Sequence, residues 1–392
     1  METKQKVLTP NQIQTFQDNG LLVVPNILSP DQVKASKLKL HQTLLKYGVD
    51  TNDLKSTGHN LVKLSSTNGA GGVLDLFYPG FKLDIATNET LFRATCELWE
   101  TSFRNGSMHE KNTNIEDWKE HPFENFDCSK GYAYIDRIGF RLPTALAEDI
   151  GQSIATQQQE NETLVSTKKK KKRSKMAIQR SLTPHLDCCP DTISSSSNKK
   201  KWRPIQCFVS LTDNLQPNTG GFEAVRGGFH KEFNNWAATR QNTILQKKGV
   251  TIAEVPPPCV GEYTHIRPKE DADVMKRVEH IPVSSGSAVF WDNRLPHANA
   301  YKNEGDDVRI VVYCSFLPDV EINRVYAKKQ LEDFTHGRIP RDQWIERESS
   351  NSQSNEENVD EDNRRIGIYE EFHDENYSFS STGRKLMMID EW

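Results

Sequence analysis

Apolar residues recur along this chain with two periods. Near the start the period is helical: Val33, Leu40 and Leu44 fall on one side of a segment opened by Ser29-Pro30 and closed by Gly48. That is an N-cap, a proline at the first helical position and a glycine stop. Thr9-Pro10 and Gly20 bracket a shorter helix in the same way, and Leu91, Ala94, Leu98 and Ser102 mark a third between Asn88 and Gly106. These segments predict a helical layer packed against something else. Further on the pattern becomes that of strands. Gly131–Arg141 alternates aromatic or aliphatic residues with small or polar ones, and Pro204–Leu211, Ile281–Trp291 and Val308–Leu317 are rich in β-branched and aromatic residues bounded by turns. Short strands split by turns and long loops predict an α+β protein with an antiparallel sandwich or jelly roll, rather than a βαβ repeat. A last helical segment covers Ile322–Phe334. Neither G-x-G-x-x-G nor a phosphate-binding G-x-x-x-x-G-K-[ST] occurs, so nucleotide folds gain no support.

Three stretches lack either period. Gln152–Lys175 ends in TKKKKKRSK, with seven basic residues in the eight positions from Lys168 to Lys175. Ser194–Lys201 reads SSSSNKKK, and Ser349–Asn363 is acidic and rich in Ser and Asn. None can bury enough apolar surface to offset its ordering entropy, so all three are expected to be disordered. They account for the low mean hydropathy of −0.70. The expected organisation is one domain over residues 1–348, with polar insertions near 152–176 and 193–201. A linker over 349–364 and a C-terminal segment over 365–392 follow.

Length and charge narrow the function classes. A chain of 392 residues with 35% hydrophobic positions can build a full core. Its formal net charge of −4 argues against a nucleic-acid binder working by bulk positive charge. The longest apolar run, Gly20–Leu28, is broken by Pro25 and is too short to span a bilayer. The seven cysteines include no C-x-x-C pair, which predicts reduced thiols in an intracellular protein rather than a disulfide framework. With no leader-like start and no peroxisomal tripeptide in Ile389-Asp390-Glu391-Trp392, the cytoplasm is the expected location. The nucleus is the alternative if the lysine run acts as an import signal.

The sharpest chemical pattern is Thr183-Pro184-His185-Leu186-Asp187. Residues two apart in a strand share a face, so an imidazole and a carboxylate emerge side by side. With His297, in WDNRLPHAN, they supply the two-histidine, one-carboxylate facial set that suits ferrous iron and leaves open positions. Arg309 follows His297 by 12 positions across a polar turn. Read as a hairpin, that segment returns Arg309 on the neighbouring strand, where a guanidinium could grip the far end of a dicarboxylate.

The order H-x-D, a long gap, then His and Arg resembles the iron- and 2-oxoglutarate-dependent oxygenases. The words LTPNQIQTFQDNGLLVVPNILSPDQV, YAYIDRIGFRLP, TPHLDCCP, IQCFVSLTDNLQPNTGGFEAVRGGFH and VFWDNRLPHANAYKNEGDDVRIVVYCSFLP resemble, more narrowly, the phytanoyl-CoA dioxygenase-like family, over about Leu8–Pro318. The resemblance implies a double-stranded β-helix (jelly roll) with helices packed on one side. It implies Fe(II) on His185, Asp187 and His297, with Arg309 pairing to the C5 carboxylate of 2-oxoglutarate. Gln206, Asn299 and Tyr134 fall where the family places co-substrate or pocket contacts. The implied reaction consumes O2 and 2-oxoglutarate, releases succinate and CO2, hydroxylates an aliphatic carbon of a small or lipid-like substrate, and uses ascorbate as a reductant. Because Asp187 is retained, hydroxylation is expected rather than halogenation, which in related enzymes uses a small residue there. The Asp187-to-His297 interval of 110 positions is long for the family. Two other readings stand beside it: a catalytically silent jelly-roll protein that binds or senses, and a nuclear 2-oxoglutarate oxygenase acting on a macromolecule.

Overall fold

The caps written in the sequence are the caps of the first helices. In α1 (Pro10–Asn19) and α2 (Pro30–Lys46), Thr9 and Ser29 each accept from the backbone of a glutamine three residues on, whose side chain accepts from the cap in return. Gly20 ends α1 at φ 67°, a left-handed conformation that costs glycine little. The computed structural model describes residues 6–103, 116–123, 125–163, 177–190, 193, 201–248, 259, 262–340 and 377–392.

Between these helices and after them run β1 (Leu21–Val24), α3 (Leu54–Thr57), β2 (Val73–Leu74), α4 (Gly80–Ala86), α5 (Glu89–Ser102), β3 (Gly131–Arg141) and α6 (Thr144–Thr163). Next come β4 (His185–Leu186), β5 (Ile205–Ser210), β6 (Phe222–Val225), α7 (Phe229–Lys248), β7 (Thr264–His265), α8 (Ala272–Met275) and β8 (Val278–His280). The last are β9 (Ala288–Asp292), β10 (His297–Asn299), β11 (Arg309–Pro318), α9 (Glu321–Thr335) and α10 (Ser381–Leu386).

The strands form two antiparallel sheets. The larger has the order β1-β9-β5-β11-β3-β2 and the smaller β7-β4-β10-β6-β8. From β3 to β6, and again from β9 to β11, successive strands alternate between the sheets. Alternation within each strand divides the molecule into two apolar layers. Cys207 and Val209 of β5, Phe290 of β9, and Ile310 and Val312 of β11 join the helical residues Phe16, Leu40, Leu91, Leu98 and Trp99 in one core. Their neighbours Phe208, Val289, Trp291 and Val311 face the smaller sheet and pack with Leu186, Phe222 and Ala224. The helical layer expected from the N-terminal half is therefore the cover of the larger sheet. One helix departs from a one-sided arrangement: Phe229 and Phe233 of α7 join the second core.

The polar stretches divide. α6 continues to Thr163, so the helix enters the glutamine-rich segment expected to be disordered; Ala, Gln and Glu are good helix formers. Lys201, expected in a solvated loop, is buried. The basic run 168–175 and the segments 194–200 and 349–364 lie outside the described residues. A second correction concerns the cysteines. Cys189 and Cys259, 70 positions apart, form a disulfide, while Cys96, Cys128, Cys188, Cys207 and Cys314 are free. Pairs so distant in sequence leave no spacing motif to read.

Candidate metal centre

His185 and His297 stand directly opposite each other in the ladder between β4 and β10. Asp187 lies one residue beyond the end of β4, yet its side chain still reaches the same side. Nε2 of His185 is 3.6 Å from Asp187 Oδ1, and Nε2 of His297 is 3.6 Å from Oδ2. The three ligating atoms lie within 4.8 Å of one another, the one such His/Cys/Asp/Glu group among the described residues. Both histidines are buried and Asp187 is partly exposed.

Backbone carbonyls set both rings. Nδ1 of His185 is 2.9 Å from the Thr183 carbonyl and Nδ1 of His297 is 3.0 Å from the Leu295 carbonyl. A carbonyl only accepts, so each Nδ1 carries the proton and each Nε2 presents a lone pair. The Tyr263 ring stacks on His185 at 4.6 Å. Burial, then the neighbouring His297, pushes His185 down to about 4, so its imidazole is neutral at neutral pH. Burial works to raise Asp187, but the two imidazoles and Arg203 outweigh it and hold the carboxyl below its usual range. Two neutral nitrogens and one carboxylate, with no thiolate, form a donor set that fits a ferrous ion.

These shifts carry a pH prediction. His230, also pushed down by burial to about 4, behaves like His185. Folded, both resist protonation; unfolded, they titrate near 6.5. The unfolded chain thus binds more protons between these values, and stability of the metal-free protein, full above about pH 6.5, falls as the pH drops towards about 4. Urea midpoints measured across that interval are expected to decline; a flat profile would contradict the assignment.

A buried ion pair delivers His297. Asp292, at the end of β9, is fully buried and takes Nε of Arg294 at 2.7 Å, Nη2 at 2.6 Å and the Arg294 backbone N–H at 2.9 Å. Arg294 also donates to the Trp118 carbonyl. Replacing Arg294 by Met leaves a carboxylate buried without its partner, a change expected to cost about 3–5 kcal/mol in a denaturant titration.

The triad opens on a cavity of about 680 Å³ between the sheets, large enough for a small organic ligand. Gln206, Asn299 and Tyr134 line it. Nε2 of Gln206 is buried without a hydrogen-bond partner. Asn299 donates to the Tyr313 hydroxyl at 3.3 Å and to the Gly71 carbonyl at 3.4 Å. Gly71 has φ +66°, and a Cβ there would stand 3.2 Å from the Asn299 amide nitrogen; glycine allows the loop to come this close.

Arg309 is placed differently from the expectation. It does not return beside β10; β11 belongs to the larger sheet and pairs with β3 and β5. The connection after Asn299 crosses between sheets rather than turning back in one. Arg309 shares the inward face with Val311 and with Tyr313, which lines the cavity. It is 2% exposed, its guanidinium lies 5.4 Å from the centre of the Phe208 ring, and none of its three nitrogens has a hydrogen-bond partner. Its register partner on β3 is another arginine, Arg141, which burial and the Arg309 charge hold below the usual guanidinium range.

Several cavity residues gave no signal in the sequence. Arg203 lies 4.4 Å over the Tyr134 ring, 3.4 Å from Asp136 and 3.9 Å from Asp187 Oδ2. Lys201 pairs with Glu262 at 2.9 Å. Their one readable cue is position: two cations immediately before the buried strand β5, where a free side chain would have to leave the core.

No helix among the described residues is long and apolar enough to cross a membrane. No curated protein matches the sequence. A model of the Gig2-like family matches residues 251–369, less than half of the chain and including His297, Asn299 and Arg309. The GlcNAc-inducible gene 2 protein of Candida albicans has a similar structure, with a TM-score of 0.62 at 13% identity over 99% of this chain and 78% of that one. The hypothetical protein JW0805 of Escherichia coli gives 0.57 at 14% identity over 98% and 82%. A protein of Salmonella typhimurium LT2, provisionally described as an oxidoreductase, gives 0.54 at 15% over 85% and 76%. At these identities the likeness is one of fold, and the family named by the partial match is Gig2-like rather than phytanoyl-CoA dioxygenase-like.

Proposed function

We propose that this chain is an Fe(II)- and 2-oxoglutarate-dependent dioxygenase that hydroxylates an aliphatic carbon of a small or lipid-like molecule. The observation that carries the reading is the triad His185, Asp187 and His297, gathered within 4.8 Å with both Nε2 atoms free to ligate. The resemblance to phytanoyl-CoA dioxygenases in five sequence words supports it. So does the alternation of strands between two sheets, which is the connectivity expected of a double-stranded β-helix.

His185, Asp187 and His297 would hold the ion. Bound there, Fe(II) supplies dioxygen chemistry: O2 and 2-oxoglutarate are consumed, one oxygen atom enters a C–H bond of the substrate, the other enters succinate, and CO2 leaves. The residues of the chain do the rest. Arg309, buried with all its donors unpaired, takes the distal carboxylate of the co-substrate. Gln206 offers an unpaired amide N–H, and Asn299 and Tyr134 shape the wall. Ascorbate would serve as external reductant, and the cytoplasm is the proposed location.

The test is an anoxic titration of the metal-free protein with ferrous iron and then 2-oxoglutarate, followed in the visible spectrum. Chelation of the keto acid should give a weak, broad charge-transfer band. Absence of the band from folded protein would leave a silent scaffold as the better account.

A further inference from the structure

We propose that Lys201 and Arg203 form an anion-binding subsite for the prime substrate, which therefore carries a carboxylate or phosphate group. The inference rests on the oxygenase reading above and deepens it.

Charge balance in the cavity is the first argument. Arg137 is matched by Asp75, 2.7 Å away. A ferrous ion on the triad, the co-substrate dianion, Asp187 and Arg309 together cancel. What remains on the walls is Arg180, Lys201 and Arg203 against Asp136 and Glu262, one positive charge over. Of the three cations, Arg180 is exposed, whereas Lys201 is 4% exposed and the Arg203 side chain 10%. The wall as a whole thus carries a net positive charge that favours an anion, and donor capacity decides which cations hold it.

Donor capacity is the second. A guanidinium has five N–H donors. Among the described residues Arg203 makes one hydrogen bond, a long one of 3.4 Å to Asp136, and its approach to Asp187 at 3.9 Å lies beyond hydrogen-bond reach. Its other donors are left for a ligand. The guanidinium carbon lies 4.4 Å over the Tyr134 ring centre, which holds the group on the cavity wall, and a guanidinium suits bidentate contact with a carboxylate or phosphate. Lys201, 5.3 Å from the same ring centre, brings the second cation alongside.

Location is the third. Tyr134 pairs with Ser315 on β11 and Arg141 pairs with Arg309. The level of Tyr134, against which Lys201 and Arg203 lie, is thus six residues along β11 from Arg309, about 20 Å of backbone. With Arg309 committed to the co-substrate, Lys201 and Arg203 are open to the substrate, on the side where Arg203 comes close to Asp187.

The experiment uses the full chain loaded with zinc, as a redox-silent ion, and 2-oxoglutarate. Calorimetric titrations compare 3-phenylpropanoate, phenyl phosphate and the neutral 3-phenylpropanamide. At least one anion is expected to bind about tenfold or more tighter than the amide, and which of them does so separates carboxylate from phosphate. The Lys201→Met protein should lose that preference while zinc affinity is unchanged, and Lys201→Arg should restore it. Arg203→Met should lose it as well, with zinc affinity read in parallel because Asp187 is close. Equal binding of acid and amide, no anion binding at millimolar concentration, or anion binding that survives Lys201→Met and Arg203→Met but disappears in Arg309→Met would each overturn the proposal. Failure of zinc or 2-oxoglutarate to bind would instead strike the oxygenase reading. The same titrations on metal-free protein then decide the subsite by itself.

Discussion

Asp187→Ala protein is expected to fold and to lose ferrous binding, the keto-acid band and any 2-oxoglutarate turnover together. The carboxylate is the hinge of the site: it faces one imidazole with each oxygen at 3.6 Å, and it is the only anionic donor of the three. Without it the ion would be held by two neutral nitrogens in a partly buried setting, with its charge unbalanced. Losing a supporting hydrogen bond to a metal ligand typically costs 10–100-fold in affinity, so loss of the ligand itself should exceed about 100-fold. Asp187→Asn provides the control for shape, since it keeps the volume and removes the charge. Metal content after dialysis, the visible band and the urea midpoint, measured on one preparation, separate loss of the ion from loss of the fold. An Asp187→Ala protein that retains stoichiometric iron would remove the triad from consideration.

The second large effect has two opposite signs. Arg309→Met should weaken 2-oxoglutarate binding roughly 100-fold, because a buried bidentate, charge-assisted contact is lost. The same substitution should stabilise the metal-free protein. Arg309 is buried with three unpaired nitrogens beside a second guanidinium, Arg141. Burying an unsatisfied donor costs about 1–3 kcal/mol, and an apolar chain of similar length over Phe208 avoids that cost. A gain of about 1–3 kcal/mol in denaturant, alongside a lost co-substrate, is the signature of a residue retained for its ligand. A destabilised variant would point to a structural arginine instead.

The parts of the fold legible in sequence are those with enough residues to show a period. β3, β5 and β11 run 11, 6 and 10 residues; alternation bounded the first, and β-branched and aromatic content between turn residues bounded the other two to within a residue. Of the segment Ile281–Trp291 only the second half is strand, β9, because Gly286 at φ 81° breaks it. The smaller sheet was illegible: β4 and β7 have two residues, β8 and β10 three, β6 four. In strands so short no alternation can be counted. The triad was readable because its chemistry is local in H-x-D, whereas the placement of Arg309 was not, since a polar turn does not tell whether a chain returns in the same sheet or crosses to the other. Lys201 and Arg203 were hidden for a similar reason. Their burial depends on Glu262, Tyr134 and Asp136, partners from distant segments, and within SSSSNKKKWR only their place just before β5 hints at it. The same holds for Cys189 and Cys259, joined across 70 positions.

β11 carries a consequence for how such a site can diverge. Arg309 begins the strand and Ser315, opposite both Gln206 and Tyr134, stands six residues later. The span between the proposed co-substrate anchor and the far wall is thus a covalent ruler, fixed by peptide geometry rather than by loop conformation. The polar segments 168–175, 194–200 and 349–363 enter the sequence outside that strand. Such segments can lengthen, shorten or change charge over evolutionary time without moving one anchor relative to the other. Relatives that take longer or shorter substrates should differ in the side chains along the ruler before they differ in its length.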